Sequence, residues 1–148
     1  MKPFNRYPGA AMDNPVLKVT PLKVLHDIGA AVARYETMGF HRITVEDDGC
    51  VGMQAGRSSV ILASEAFMTG DFDADHVARL SGRTIDYIYV SSLDQVRDRL
   101  SASARVLQDV QARGGTREVL VDDLGDLFIL AEKVPSAPPP AESERCRA

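Results

Sequence analysis

Residues 114–132 read GGTREVLVDDLGDLFILAE, and no other part of the sequence is as informative about the fold. Two runs of alternating apolar residues flank a short Asp/Gly turn, which is the pattern of two strands joined in a hairpin. Gly125 suits that turn because glycine adopts the positive φ that tight hairpin turns require. The stretch therefore predicts a closing β-hairpin near the end of the chain.

The elements before this hairpin repeat in the same order. A predicted strand precedes a helix whose apolar residues Ile28, Ala31, Val32 and Tyr35 have the spacing of one buried face. Asp27 is positioned to cap that helix and Gly39 to end it. The predicted strands of the first unit are 16–25, 43–46, 50–54 and 58–64.

A second unit repeats the first after roughly 65 residues, by the rule for reading internal repeats. Its helix follows Ser92 and Gln95, which form the sequence of a capping box. Its predicted strands are 84–90, 105–110, 116–121 and 126–133. The chain is therefore predicted to contain two tandem βαβββ modules.

Two motifs resemble one known family. The first is Asp27-Ile28-x-x-Ala31-x-x-x-Tyr35-x-x-x-Gly39-Phe40, and the second is Asp122-x-x-Gly125 in the hairpin. Both are similar to the vicinal oxygen chelate family, the glyoxalase/bleomycin-resistance/dioxygenase group. In the first motif the interval from Tyr to Gly-Phe is one residue shorter than usual, and in the second Asp123 replaces a common proline.

The resemblance covers about residues 16–134 and implies an α+β fold. In that fold the two modules, about 16–66 and 84–134, form a curved, cup-shaped mixed sheet with the helices outside. Residues 67–83 then form a linker between the modules. Composition sets the ends apart, since 1–15 reads as a flexible N-terminal segment and 135–148 as a disordered Pro/Ala-rich tail.

Composition excludes several classes of protein. A net charge of −4 without a basic run argues against a nucleic-acid partner, because such binding depends on Lys and Arg neutralising phosphates. The sequence shows neither a bilayer-length apolar run nor a signal peptide, so we expect no membrane partner and a cytoplasmic protein. Cys50 and Cys146 are expected to be reduced thiols, because only a tail that folds back could pair them.

The resemblance also implies where metal ligands would lie. Enzymes of the family hold a divalent ion with His, Gln or Glu side chains that project into the cup. The corresponding positions are Val19 or Thr20 on the first strand, Ile85 in the second module and Ile129 on the closing strand. Because aliphatic side chains cannot coordinate a metal, we expect neither a metal nor a cofactor.

The same alternation predicts an apolar ligand site in the cup. Aromatic rings give a planar ligand a large contact surface, which favours Tyr87 and Tyr89. The predicted ligand-binding set is Tyr87, Tyr89, Ile85, Ile129, Val19, Lys23 and Met53. No motif in the sequence indicates catalytic residues.

Three functions remain open on the sequence. The favoured one is a metal-free protein that binds a small apolar or aromatic molecule, as the drug-sequestering bleomycin-resistance proteins do. The alternatives are a metal-dependent lyase, isomerase or oxygenase with displaced ligands, and a dimeric scaffold without a ligand. A homodimer is expected in the favoured case, since two-fold dimers are the commonest soluble oligomers.

Overall fold

The computed structural model describes residues 14–47, 49–112 and 115–133. Its strands are β1 (Val16–Leu25), β2 (His41–Asp47), β3 (Cys50–Ala55), β4 (Ser58–Ser64), β5 (Thr84–Val90), β6 (Ala104–Ala112), β7 (Thr116–Asp123) and β8 (Asp126–Lys133). Its helices are α1 (Gly29–Met38), α2 (Glu65–Met68), α3 (Ala74–Leu80) and α4 (Leu93–Asp98). Most of the predicted N-terminal segment and all of the predicted tail lie outside these residues.

The eight strands form one curved, unclosed sheet in the order β2-β3-β4-β1-β5-β8-β7-β6. In each module the first strand lies parallel to the last, β1 beside β4 and β5 beside β8. Antiparallel pairing of β1 with β5 joins the modules at the centre of the sheet. The predicted α+β fold of two βαβββ modules in a curved mixed sheet is therefore confirmed.

Helix α1 covers the outer face of the first module. Its residues Ile28, Ala31 and Val32 are buried, as their helical spacing predicts. They pack against side chains of β3 and β4, namely Val51, Met53, Val60 and Leu62. Burying one such aliphatic side chain contributes about 1.5–3 kcal/mol, so this contact fixes the helix on the sheet.

The ends of α1 follow from local chemistry. Gly39 ends the helix with a φ of 114°, in the region that glycine occupies more readily than other residues. At the other end Ile28, and not Asp27, is the N-cap residue. The Asp27 carboxylate instead accepts a hydrogen bond from the backbone N–H of Gly29 at 3.0 Å. Asp27 therefore supplies the predicted side-chain cap, from one residue before the N-cap position.

Helix α4 covers the outer face of the second module in the same way. Leu93 is fully buried in a cluster with Val90, Val119, Val121 and Leu130. The predicted cap is present, because the Ser92 hydroxyl accepts a hydrogen bond from the backbone N–H of Gln95 at 3.2 Å. Helices α1 and α4 thus pack on the same side of the sheet. A second layer covers the other side.

The second layer comes from the residues between the modules. We call residues 65–83 the bridging segment; it contains α2 and α3 and overlaps the predicted linker 67–83. Its apolar side chains pack on the inner face of the sheet, and they are Phe67, Met68, Phe72, Val77 and Leu80. The linker is therefore a structural layer of the core, whereas composition indicated a connection with a single helical turn.

The closing hairpin has a two-residue turn. Asp123 pairs with Asp126, which leaves Leu124 and Gly125 between the strands. Both have positive φ, 58° for Leu124 and 94° for Gly125, as a type I′ turn requires. The predicted role of Gly125 is confirmed, while Leu124 adopts a backbone conformation that disfavours side chains with a Cβ.

Two expectations about compartment are affected by the structure. Cys50 is disulfide-bonded, so the prediction of a reduced thiol at this residue was wrong. Disulfides are rare in the cytoplasm, so this bond does not favour the expected cytoplasmic location. Within the described ranges no helix has the length and apolar character needed to cross a membrane.

Candidate functional site

On the inner face of the sheet, side chains form rows that run across β1 and β5, the two strands at which the modules pair; we call this pairing the seam. In one row Thr20 lies opposite Tyr87, and Tyr87 lies beside Ile129. The neighbouring row pairs Leu22 with Ile85. Because side chains two residues apart on a strand share a face, these rows continue into the buried inner cluster. The rows form the floor of the cup.

Four of the predicted ligand-binding residues lie on this floor. Ile85 and Tyr87 are each 5% exposed, and Ile129 is fully buried. Tyr89 is half-buried and packs against the same cluster. Its ring lies 5.0 Å from that of Tyr87 in an edge-to-face arrangement, which suits aromatic pairs. Their contact with a ligand stays a prediction.

The inward orientation predicted for Val19 and Lys23 was wrong. Val19 lies opposite Ile88, which packs on the outer cluster of the second module, and 51% of Val19 is exposed. Lys23 lies beside Leu62 of the outer cluster, and its ammonium donates to the Thr84 hydroxyl at 3.1 Å. The register of β1 places Thr20, not Val19, at the position expected for a metal ligand.

The predicted site position of Met53 was also wrong. Met53 is fully buried under α1 on the outer face of the sheet. Its neighbour Cys50 faces the inner cluster instead. Alternation along β3 is the physical reason, because residues an odd number apart on a strand point to opposite faces.

The inner face offers little to a metal ion. Thr20, Ile85 and Ile129 occupy the three positions that correspond to metal ligands, and the two isoleucines carry no donor atom. Across the described residues no group of three or more His, Cys, Asp or Glu side chains converges on a point. These residues therefore do not fit the divalent ion that the resemblance implies.

The bridging segment closes the cup. It leaves a cavity of about 10 Å³ between Leu22, Ile61, Phe67, Tyr87 and Glu118. A single water molecule needs roughly that much accessible volume, whereas sites for drug-sized ligands measure about 300–1,000 Å³. A ligand of that size can reach the floor only if the bridging segment moves.

Polar contacts hold the bridging segment in place. The Arg79 guanidinium donates to Asp122 of β7 at 2.7 Å. The backbone N–H of Asp73 donates to the Gln108 side chain of β6 at 2.9 Å. Within the segment, the Ser81 hydroxyl donates to the Glu65 carboxylate and so joins its two ends. Together with the buried apolar side chains of the segment, these contacts hold it on the inner face of the sheet.

The charge of the Asp122 carboxylate depends on its contact with Arg79. The hydrogen bond from Arg79 is the largest cause that holds the pKa of the Asp122 carboxyl below its usual range. A hydrogen bond from the Gly125 backbone N–H and the nearby charge of Arg105 act in the same direction. The Asp122 side chain is only 7% exposed. Its ionised form is therefore a part of the folded structure at neutral pH.

Sequence reasoning missed the most unusual residue of the cup. Glu118 of β7 is fully buried, and its carboxylate accepts a hydrogen bond from the Tyr87 hydroxyl. The two-residue turn fixes the pairing of β7 with β8, and counting back from it pairs Glu118 with Ala131. Ala131 lies two residues from Ile129 and so on the same face of β8, which means that the sequence could have placed Glu118 in the cup.

Solved structures with the same fold are only distantly similar in sequence. A glyoxalase/bleomycin resistance protein/dioxygenase superfamily member from Vibrio splendidus 12B01 matches with a TM-score of 0.55 and 18% identity, over 78% of this chain and 98% of that one. A hypothetical protein from Bacillus halodurans C-125 matches with a TM-score of 0.58 and 15% identity, over 82% and 97%. No protein-family model and no curated protein matches the sequence.

Identities this low carry information about the fold and none about the activity. The order of strands, the parallel pairing inside each module and the antiparallel seam agree with the fold that the two motifs imply. The chain therefore has the vicinal oxygen chelate fold of the glyoxalase/bleomycin resistance/dioxygenase superfamily.

Proposed function

We propose that this protein binds a small, largely apolar molecule in its cup without a metal. The observation that carries the proposal is the identity of the residues on the floor. Ile85 and Ile129 stand where the resemblance places metal ligands, and both are buried on the inner face. A site of this kind can hold a ligand by apolar contact, but it supplies no Lewis acid for a reaction.

Binding in this proposal requires the bridging segment to open. Its apolar side chains take the space that a ligand would occupy, so ligand and segment compete for the same floor. The measured affinity is then the affinity of the open form multiplied by the fraction of molecules in which the segment is open. Phe67 is the side chain of the segment that reaches the small cavity beside Tyr87.

The proposal includes a homodimer. Leu17, at the β-bulge of β1, and Val19, on the outer face of the sheet, are 65% and 51% exposed, and neither belongs to the clusters under α1 and α4. Exposed apolar residues that adjoin each other favour a contact with another protein surface, and two-fold pairing of identical chains is the commonest such contact. The cytoplasmic location remains a prediction.

Thermal unfolding with a neutral aromatic probe tests the binding proposal. Indole should raise the Tm with increasing concentration, as expected for a ligand that binds only the folded state. Ala63→Leu should abolish this shift, because Ala63 lines the small cavity and is 1% exposed. Ala33→Leu is the matched control, since Ala33 is exposed on α1. An equal indole shift in both variants would place binding outside the cup.

Metal analysis of the purified protein tests whether the cup works without a metal, as proposed. The dialysed protein should contain far less than one equivalent of transition metal. One equivalent of zinc, manganese or iron that survives dialysis would overturn the metal-free proposal and favour the enzyme alternative.

A further inference from the structure

Two arginines meet at one carboxylate beside the cup. Arg105 lies on β6 directly opposite Asp122 of β7, and Arg79 comes from α3 of the bridging segment. Both guanidinium groups engage the same carboxylate oxygen of Asp122, Arg79 at 2.7 Å and Arg105 at 3.7 Å. Two positive charges therefore share one negative charge at this point.

This charged group lies on the side of the sheet that forms the cup. Asp122 is two residues from Leu120 and pairs with Leu127, and both leucines belong to the buried inner cluster. Leu107, two residues from Arg105, packs against the same cluster. The arginines thus stand next to apolar side chains of the inner face.

The guanidinium of Arg105 has donors to spare. Its side chain is 72% exposed, and at 3.7 Å its contact with Asp122 is an ion pair without a hydrogen bond. Among the described residues this ion pair is its sole polar contact. The next acid along β7 is engaged elsewhere, because the Asp123 carboxylate accepts hydrogen bonds from Ser101 and Ser103. A guanidinium carries five N–H donors, so Arg105 is able to bind a further anion.

We propose that Arg105, together with Arg79, binds the carboxylate of a ligand whose remaining body is apolar. The inference rests on the proposed binding function and specifies its ligand class. The planar fork of a guanidinium matches the two oxygens of a carboxylate, which favours this anion. The apolar body would lie on the floor beside Leu120 and Leu127, where the bridging segment now packs.

The same site links binding to opening of the cup. The hydrogen bond from Arg79 to Asp122 ties the bridging segment to β7. A ligand carboxylate competes with Asp122 for this guanidinium, so its binding weakens the tie between segment and sheet. An anionic ligand should therefore favour the open form more than a neutral ligand of the same shape does.

Phenylacetate and phenylacetamide isolate the charge, because they have nearly the same shape and only phenylacetate is an anion at neutral pH. Titration calorimetry with the full chain should give a Kd for phenylacetate at least about fivefold lower than for phenylacetamide, as expected for a partly exposed charge-assisted contact. Arg105→Gln should reduce this preference to within about twofold, since Arg79 and Asp122 then form a neutral pair. Arg105→Lys keeps the charge without the fork and should retain part of the preference.

Asp122→Asn should change the preference in the opposite direction. It removes the competing negative charge, so the preference for phenylacetate should rise by about twofold or more, although the variant is less stable. A purely structural role for these residues would not produce opposite changes in Arg105→Gln and Asp122→Asn. Arg99→Gln is the matched control, because Arg99 is exposed at the end of α4 on the outer face, and the preference should survive this change.

The outcomes separate the inference from the function on which it rests. Binding of neither probe by the wild type would overturn both. Equal Kd values for the two probes would overturn the carboxylate site and leave apolar binding in the cup standing. A preference for phenylacetate that persists in Arg105→Gln, or that fails to rise in Asp122→Asn, would also overturn the inference, because the anion would then be bound without this pair of arginines.

Discussion

Removing the Phe67 side chain should turn the closed cup into an open apolar cavity. Phe67 is 5% exposed and belongs to the bridging segment, and its ring lines a cavity that now measures about 10 Å³. Truncation to alanine adds volume on the order of 100 Å³, and at ~24 cal/mol per Å³ this volume costs about 2.4 kcal/mol. With the lost transfer free energy of the ring, the total reaches the 3–5 kcal/mol that is typical of Phe→Ala.

Benzene is the probe for this variant. It fits a cavity of that size, and at tenfold excess over its Kd it should restore about 1.4 kcal/mol of stability. For a domain of this length the Tm of Phe67→Ala should then rise by about 5 °C. The assay is thermal unfolding followed by circular dichroism with and without benzene, and wild type should show a much smaller shift.

Phe128→Ala is the matched control for this experiment. Phe128 is half-buried against the outer cluster of the second module, so its loss should lower stability without creating a cavity in the cup. Phe67→Leu removes less of the side chain and is the fallback if the alanine variant unfolds. A folded Phe67→Ala protein whose Tm benzene leaves unchanged would refute the argument that the bridging segment fills a binding site.

Further changes test other parts of the structure. Ile85→His with Ile129→Glu should create measurable affinity for zinc or manganese by calorimetry, since both side chains face the cup; a folded double variant without such affinity would contradict the alignment with metal positions. Leu124→Asn should stabilise the protein by about 1 kcal/mol in urea unfolding, because asparagine tolerates positive φ better than leucine; a loss of stability would contradict the turn assignment. Asp122→Asn should destabilise the protein at neutral pH. Because the folded pKa of Asp122 is lowered, its contribution is present above its ordinary value of about 3.9 and disappears as the pH falls through the lowered value, so the two proteins should converge in acid. Light scattering at micromolar concentration should give twice the 16.1 kDa chain mass, and a monomer mass would contradict the proposed dimer.

Local patterns were sufficient for most of the fold. The predicted bounds of β1, β4, β5 and β8 match the structure, because alternation, Gly turns and helix caps act within a few residues of one another. The interval between Tyr35 and Gly39 left two registers open for β1. Only pairing with β5, which places Thr20 opposite Tyr87, selects between them.

The site was harder to predict because its parts meet across the sheet. Met53 was predicted to bind the ligand, yet its orientation depends on which face of the sheet α1 covers. No prediction was made for Glu118, whose position in the cup follows from the pairing of β7 with β8, with Val119 facing the outer helix. The bridging segment has a polar composition, and only the tertiary structure shows that its few apolar residues fill the inner face.

The central seam also affects how the chain can be synthesised. When β4 has left the ribosome, β1 still lacks the neighbour that β5 will provide, and Leu22 and Ile61 face solvent. At about 5–20 residues per second, the rest of the sheet follows only several seconds later. During that time the half-made sheet carries an unpaired edge next to exposed apolar side chains, which is the condition that favours aggregation and chaperone binding. Slowing translation between the modules should therefore lower the yield of native protein more than slowing it elsewhere.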